Sequence, residues 1–203
     1  MIIGSLEITN KDNNFTITPN PHPYHALLVD SFLLPYNTIF YANNVCSLEE
    51  FIKHHTFSIY TANTMLISIY NQLHRLSNHY LSISFFDIHD IIVIDSRQFF
   101  FCNIAKIFPA VNNNINITHF YDINNLFLPP EFKSNNKLPF ICHKNTGYYS
   151  LALIVLFSLK QSDSNLSELS NNDILDYYKT TKMNSILKLC LADKSENRHF
   201  IIF

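Results

Sequence analysis

Residues 147–159 read GYYSLALIVLFSL and form the most apolar segment of a chain of 203 residues. The stretch from Tyr148 to Leu159 is apolar on every side of a helix, which is typical of a helix buried at a domain centre. It is about half as long as the roughly 20 residues that a helix needs to cross a bilayer. The segment therefore predicts a buried central helix over residues 147–160 and no membrane span.

The segments on both sides of this centre also show helical spacing. Before it, apolar residues at i, i+3 and i+4 predict a helix over residues 62–76. Ser47 and Glu50 have the spacing of a capping box, which predicts that a shorter helix begins there. After the centre, the same spacing predicts two helices, over residues 172–179 and 183–191.

Alternation of apolar and polar residues predicts strands near the N-terminus. Residues 2–9 and 14–18 flank the polar turn NKDNN and are predicted to form a β-hairpin. Residues 25–34 and 38–42 are predicted to be two further strands, separated by the turn PYN.

The middle of the chain is predicted to contain little regular structure. One small strand pair is expected in SISFFDIHDIIVIDSRQFFFCNI, residues 82–104. Residues 105–145 are expected to be irregular because four prolines interrupt them, and the Asn-rich residues 112–116 are expected to be an exposed loop. The predicted class is α+β, with a β-rich beginning followed by a mostly helical part.

Composition limits the classes of function. The chain is 47% hydrophobic and 15% charged, which indicates a folded protein, and its net charge of -2 gives no general attraction to nucleic acid or to an anionic membrane. Its four cysteines are far apart, and the N-terminus resembles no signal peptide, so a cytoplasmic protein with reduced thiols is expected. Abundant Asn and only two Gly are typical of AT-rich coding, which favours an origin in a large DNA virus or an AT-rich protist.

The C-terminal residues 185–200, SILKLCLADKSENRHF, resemble the end of the protein kinase C-lobe. Leu191-x-Asp193 followed by Arg198 is similar to the L-x-x-D-P-x-x-R ending of that family, with Lys194 in place of its usual Pro. Residues 147–152 look like the D-x-W/Y-S-L-G start of its central helix, with Gly147 in place of the Asp and Ser150-Leu151-Ala152 in place of Ser-Leu-Gly.

Residues 127–132, FLPPEF, resemble the A-P-E motif that closes the kinase activation segment. The resemblance implies that Glu131 pairs with Arg198 as a structural clasp, a pairing favoured by the bidentate geometry of guanidinium. It also implies a hinge at Asn43 to Cys46. The expected organisation is one kinase-like domain over residues 1–203, with a reduced β-rich N-lobe over 1–43 and a helical C-lobe over 44–203.

The same resemblance aligns residues 82–105 with the kinase segment that runs from the catalytic loop to the D-F-G motif. Ile91 then stands at the position of the Mg-binding Asn, and Asn103 stands at the Asp of D-F-G. In this alignment Ser84-Phe85-Phe86 occupy the positions of the H-R-D triplet. If the alignment is shifted by one residue, Asp87 occupies the position of the catalytic base. Isoleucine offers no lone pair and Asn103 only a neutral amide oxygen, so phosphoryl transfer lacks its metal ligands.

The phosphate-binding parts of a kinase are also missing from the N-terminal half. A glycine-rich loop is impossible because the glycines are Gly4 and Gly147, and the sole lysine before the hinge, Lys11, lies in the turn NKDNN. Three acidic residues of the 82–104 stretch are therefore expected to be solvated turn residues: Asp87, Asp90 and Asp95.

The sequence predicts a catalytically inactive, kinase-like (pseudokinase) protein that binds another protein as a scaffold or allosteric regulator. One alternative is a divergent ATP-binding phosphotransferase that uses Asp87 and Asn103. The other is a structural component of a larger assembly, such as a viral particle, for which the C-terminal HFIIF would be a docking patch if it is exposed. No cofactor and no metal site are expected, because H-E-x-x-H is absent and no four ligands cluster.

Overall fold

A computed structural model describes residues 2–3, 6–12, 14–19, 39–135 and 137–200. Within these ranges the chain forms three antiparallel sheets and six α-helices, so the α+β class is confirmed. The predicted strand at residues 25–34 lies outside the described residues. Among the helices that are described, none is both long and apolar enough to cross a membrane.

The first sheet contains the predicted N-terminal hairpin. Its strands follow one another in the order β1-β2-β3-β4. Ile8 of β2 and Phe15 of β3 are buried in the main core, and Asp12 makes the turn between these strands with a positive φ of 55°. The strands of this sheet are β1 (Ile2–Ile3), β2 (Leu6–Lys11), β3 (Asn14–Pro19) and β4 (Ile39–Tyr41).

Two more sheets lie in the part of the chain that was predicted to be mostly helical. The second sheet has the order β5-β7-β8 and the third the order β11-β10-β9-β6. The second consists of β5 (Val45–Ser47), β7 (Ile91–Ile94) and β8 (Gln98–Phe101). The third consists of β6 (Leu81–Ile83), β9 (Ile107–Val111), β10 (Asn114–Ile117) and β11 (Phe140–His143).

The third sheet corrects the prediction that residues 105–145 are irregular. Asn112 and Asn113 both have positive φ, 50° and 63°, and make a tight turn that joins β9 to β10. Asn tolerates this left-handed conformation because its short polar side chain compensates part of the steric cost. The Asn-rich residues 112–116 are therefore a hairpin rather than a loop. A second apolar cluster lies against this sheet and contains Phe108, Ile115, Ile117, Leu128, Phe132, Phe140 and Cys142.

The helices agree closely with the sequence prediction. Every predicted helix is present, with ends within about three residues of those expected. The six helices are α1 (Leu48–His54), α2 (Ile59–Asn78), α3 (Pro130–Ser134), α4 (Gly147–Ser162), α5 (Asn171–Tyr177) and α6 (Lys182–Cys190).

Helix α4 forms the centre of the main core, as its apolar sequence predicts. It packs against α1, α2 and α6, and most of its side chains from Leu151 to Leu159 are fully buried. Its first residue, Gly147, lies so close to the carbonyl oxygen of Ile83 that a Cβ would stand 2.6 Å from that oxygen. Only glycine therefore allows α4 to begin against the end of β6.

Candidate functional site

Two short turns bring two of the predicted site residues, Asp87 and Asn103, together. The first, Ile88–Asp90, lies between β6 and β7, and the second, Ile104–Lys106, lies between β8 and β9. The residues of these turns and one residue of a later loop form the Lys106 cluster, which we define as Asp87, Asp90, Asn103, Lys106 and Asn125.

The first turn is fixed by its own carboxylates. The Asp87 Oδ1 atom accepts a hydrogen bond from the His89 N–H at 2.9 Å, and Asp90 Oδ2 accepts one from the Asp87 N–H at 2.9 Å. This reciprocal capping box satisfies backbone donors that a single helical turn leaves free. The sequence D-x-x-D therefore encodes a turn that directs both carboxylates inward.

Asn103 makes the corresponding cap on the second turn. Its Oδ1 accepts from the Ala105 N–H at 3.2 Å, and its Nδ2 donates to Asp90 Oδ1 at 2.6 Å. The amide of Asn103 is thus used as a donor to a neighbouring carboxylate and as a cap, which occupies both of its polar atoms.

Lys106 lies between the two carboxylates. Its Nζ is 2.5 Å from Asp90 Oδ2 and 3.3 Å from Asp87 Oδ2, and it lies 4.7 Å from the ring centroid of Phe85. Burial raises the pKa of the Asp90 carboxyl above its usual value, although the ammonium beside it acts in the opposite direction. The negative charge of the buried Asp90 carboxylate is therefore balanced by a lysine of the same chain.

These contacts change the interpretation of the acidic residues. The expectation that Asp90 is a solvated turn residue is wrong, since only 3% of it is exposed. Asp87 is half-buried in the same ion pair. Ile91 lies fully buried in β7 and offers the site no polar atom.

Sequence reasoning missed Lys106 and Asn125. A usable signal for the lysine was its position in the apolar stretch NIAKIF, where an isolated cation requires a buried partner. Asn125 donates its Nδ2 to Asp87 Oδ2 at 3.2 Å from a loop 38 residues further along the chain. No local pattern signals a contact of that kind.

Asp95 holds the predicted hinge instead of facing water as a free turn residue. Its Oδ1 accepts from the N–H groups of both Asn43 and Asn44, at 2.7 and 2.9 Å. The next hinge residues, Val45 and Cys46, pair with β7 as part of β5. The backbone donors of Asn43 and Asn44 are thus already used within the chain.

The predicted pair Glu131–Arg198 is present, and we call it the clasp. The Arg198 guanidinium donates to Glu131 Oε1 at 2.6 Å and to Oε2 at 2.9 Å, which is the bidentate arrangement. It also donates to the carbonyl oxygens of Ala192 and Asp193, at 2.8 and 3.1 Å. Thr146 donates its hydroxyl to Glu131 Oε1 at the start of α4.

The guanidinium of the clasp is buried and fully partnered. Arg198 is 0% exposed, and its guanidinium lies 4.8 Å from the ring centroid of Tyr149. The two paired residues are 67 positions apart, so the clasp ties the segment after α6 to α3.

A loop between β10 and α3 carries the most exposed large apolar side chain in the described part of the chain. Phe120 is 97% exposed, Leu126 is 70% exposed and Ile123 is 50% exposed. We call residues 118–128 the apolar loop. The Tyr121 hydroxyl lies within hydrogen-bond distance of the Phe132 and Asn135 carbonyl oxygens, so the loop is anchored to α3.

The remaining metal-ligating and nucleophilic side chains of the described residues are dispersed or buried. They include no group of three His, Cys, Asp or Glu side chains that could hold a metal ion. Burial raises the pKa of Cys46 to about 11 and the pKa of Cys142 and Cys190 to about 12, so these thiols stay protonated at neutral pH.

Comparison with known proteins adds no relative to this description. No model of a protein family matches the chain, and no curated protein matches it. The interpretation of the two ion-pair sites and the apolar loop therefore depends on their own geometry.

Proposed function

We propose that this chain is a catalytically inactive, protein-kinase-like protein that acts by binding another protein, as a scaffold or an allosteric regulator. The observation that carries the proposal is the Lys106 ammonium, which lies 2.5 Å from Asp90 and 3.3 Å from Asp87. Phosphoryl transfer needs divalent cations held by oxygen ligands beside the catalytic base. In this chain the carboxylates next to Ile91 and Asn103 are paired with the Lys106 ammonium instead of being free to bind a metal ion.

The kinase-like part of the proposal is supported by the order of elements and by the clasp. Helix α2, the turn at residues 88–90, the β7–β8 hairpin, Glu131, helix α4 and Arg198 follow one another as the resemblance requires. The bidentate Glu131–Arg198 contact joins the two motifs that the resemblance links over the greatest distance in sequence. Each motif alone is short, whereas their contact in space is a separate observation.

The absence of catalysis is supported at three further positions. Ile91 is buried and apolar where a metal-binding amide would stand. Asn103 uses both of its polar side-chain atoms within the chain. In the predicted hinge, the backbone N–H groups of Asn43 and Asn44 donate hydrogen bonds to the Asp95 carboxylate.

The binding role is supported by the apolar loop. Phe120, Ile123 and Leu126 expose large side chains on one loop, and hydrogen bonds from the N–H groups of Phe127 and Leu128 hold its C-terminal end. Water solvates such side chains poorly, and exposed apolar side chains of this size occur in many protein contact surfaces. Hydrogen bonds that already order the end of the loop reduce the entropy lost on binding, which favours its use as a contact surface.

The first test asks whether nucleotide binds. We expect no change in melting temperature when the purified chain is titrated with ATP, alone or with Mg²⁺ or Mn²⁺. A ligand present at 100 times its dissociation constant adds about 2.7 kcal/mol of stability, which shifts the melting temperature by a few degrees. A metal-dependent shift would contradict the proposal and favour the divergent phosphotransferase, whose residues Asp87 and Asn103 both lie in the Lys106 cluster.

The second test asks whether the apolar loop binds protein. The chain is used to capture proteins from cells that express it, in parallel with the double variant Phe120→Ser, Leu126→Ser. A matched control replaces the exposed Tyr60 and Tyr80, which lie outside the loop, by serine. We expect a specific partner to be retained by the wild type and the control and lost by the loop variant. Retention by all three would show that the contact surface lies elsewhere.

A further inference from the structure

We infer that Lys106 is a built-in cation that positions the apolar loop, doing for this chain what a bound divalent ion would do for a pair of carboxylates. The inference depends on the proposed function only in that it treats the loop as a contact surface. It assigns to Lys106 a positioning role, exerted through Asp87 and Asn125.

The first link runs through Asn125. Its Nδ2 donates to Asp87 Oδ2 at 3.2 Å, while its Oδ1 accepts from the Phe127 N–H at 2.8 Å. Its carbonyl oxygen accepts from the Leu128 N–H at 3.2 Å. One side chain thus fixes the C-terminal half of the loop to the carboxylate that Lys106 compensates.

The second link runs through aromatic rings. The Lys106 ammonium lies 4.7 Å from the Phe85 ring centroid, and the Phe85 ring meets the Tyr121 ring edge-on at 6.0 Å between centroids. Tyr121 is the neighbour of Phe120 in the loop, and Phe85 also packs on Phe132 of α3. The N-terminal half of the loop, which Tyr121 also anchors to α3, therefore contacts the same cluster through Phe85.

The charges explain why a cation is required at this position. Asp87 Oδ2 and Asp90 Oδ2 both face the ammonium, and Asp90 is shielded from water, so without the ammonium the two carboxylates would repel each other. Repulsion would move Asp87 and break its contact with Asn125. A divalent ion between the two carboxylates could restore their spacing, and the lysine makes such an ion unnecessary.

The inference is tested by amide hydrogen exchange of the full-length chain, in EDTA and in millimolar MgCl₂ or CaCl₂. Lys106→Met removes the charge and keeps the stem, Lys106→Arg keeps a charge, and Asn125→Ala cuts the link to Asp87 alone. Exchange in residues 118–128 is compared with exchange in α6, which lies outside the cluster and the loop.

In the wild type and in Lys106→Arg we expect slow exchange of the loop that is indifferent to divalent ions. In Lys106→Met we expect loop exchange about 5- to 30-fold faster in EDTA, with MgCl₂ or CaCl₂ restoring protection. Asn125→Ala should accelerate exchange in the loop by about fivefold, with α6 unchanged and no response to either ion.

Unchanged loop exchange in Lys106→Met would overturn the inference, and so would acceleration that neither ion reverses. If Lys106→Met does not fold, unchanged loop exchange in Asn125→Ala has the same consequence. The exchange experiment uses no partner, so its failure leaves the proposed function standing. Conversely, failure to find a partner leaves the positioning role of Lys106 standing.

Discussion

The clasp and the Lys106 cluster both bury carboxylates against a cation, yet they differ in how completely the charges are matched. In the clasp one carboxylate meets one guanidinium, and Arg198 is fully enclosed with four hydrogen bonds to protein oxygens. In the cluster two carboxylates share one ammonium, and it is the cation, Lys106, that remains partly open to water.

This difference separates two uses of a buried ion pair. A guanidinium presents fixed donors that fit a carboxylate in one orientation, so the clasp locks two distant segments in a single geometry. An ammonium is a compact charge on a flexible stem, and it compensates neighbours without dictating their orientation. The clasp is therefore expected to be the stronger and less adjustable of the two, and the cluster is expected to be the one whose contribution to stability depends on pH.

The largest expected effect comes from breaking the clasp. Glu131→Gln leaves the buried guanidinium without its countercharge, and we expect the free energy of unfolding to fall by about 3–5 kcal/mol. Urea denaturation measures the loss, and Glu168→Gln at an exposed position is the matched control.

A double-mutant cycle with Arg198→Met sharpens this test. Because the second substitution removes the charge that the first leaves unpaired, the double variant should lose less stability than the sum of the two single variants. Additive losses of stability would mean that the two side chains do not act as a pair. The clasp could then no longer be described as the stronger of the two ion-pair sites.

The next effect comes from removing the cation of the cluster. For Lys106→Met we expect a loss of about 1.5–3 kcal/mol at neutral pH, smaller than for the clasp because Asp90 can take up a proton. The loss should depend on pH. Without the ammonium the folded-state pKa of Asp90, already raised by burial, rises further above its unfolded value.

The sign of the pH dependence follows from proton linkage. A carboxyl whose pKa is raised on folding contributes stability that is present below its unfolded pKa and lost as pH rises through its folded pKa. The difference between wild type and Lys106→Met should therefore be small near about pH 4 and grow towards about pH 8. Urea denaturation of both proteins over this pH range measures the difference, and Lys133→Met at an exposed position is the control. A difference that is constant over the range would contradict the assigned charges.

The sequence predicts the helices and the clasp well because both depend on signals that the sequence contains. Apolar residues at helical spacing locate α2, α5 and α6, and both the presence and the burial of α4 follow from its apolar composition. The Glu131–Arg198 contact could be expected only from a family resemblance, since no local pattern joins residues 67 positions apart.

The third sheet and the Lys106 cluster escape sequence reasoning for different physical reasons. Pro109 interrupts an apolar run and was interpreted as a break, yet it lies in β9 in register with Leu81. Asn112 and Asn113 suggest a loop because the left-handed turn that they form is usually signalled by glycine. The cluster depends on the approach of two turns in space, and the predicted exposure of Asp90 ignored the isolated lysine that compensates it.

The smallest expected effect concerns the neutral donor of the clasp. The Thr146 hydroxyl donates to Glu131 Oε1, which already accepts from Arg198. Thr146→Val keeps the shape of the buried side chain and removes only this donor, so we expect a loss of about 1 kcal/mol in the free energy of unfolding. Thr146→Ser keeps the hydroxyl and serves as the control, because any loss that it shows comes from the missing methyl group. If Thr146→Val costs as much as Glu131→Gln, the hydroxyl and not the guanidinium holds the carboxylate. In that case the clasp would depend on a neutral donor at the start of α4, and its greater strength relative to the Lys106 cluster could not be attributed to the geometry of arginine.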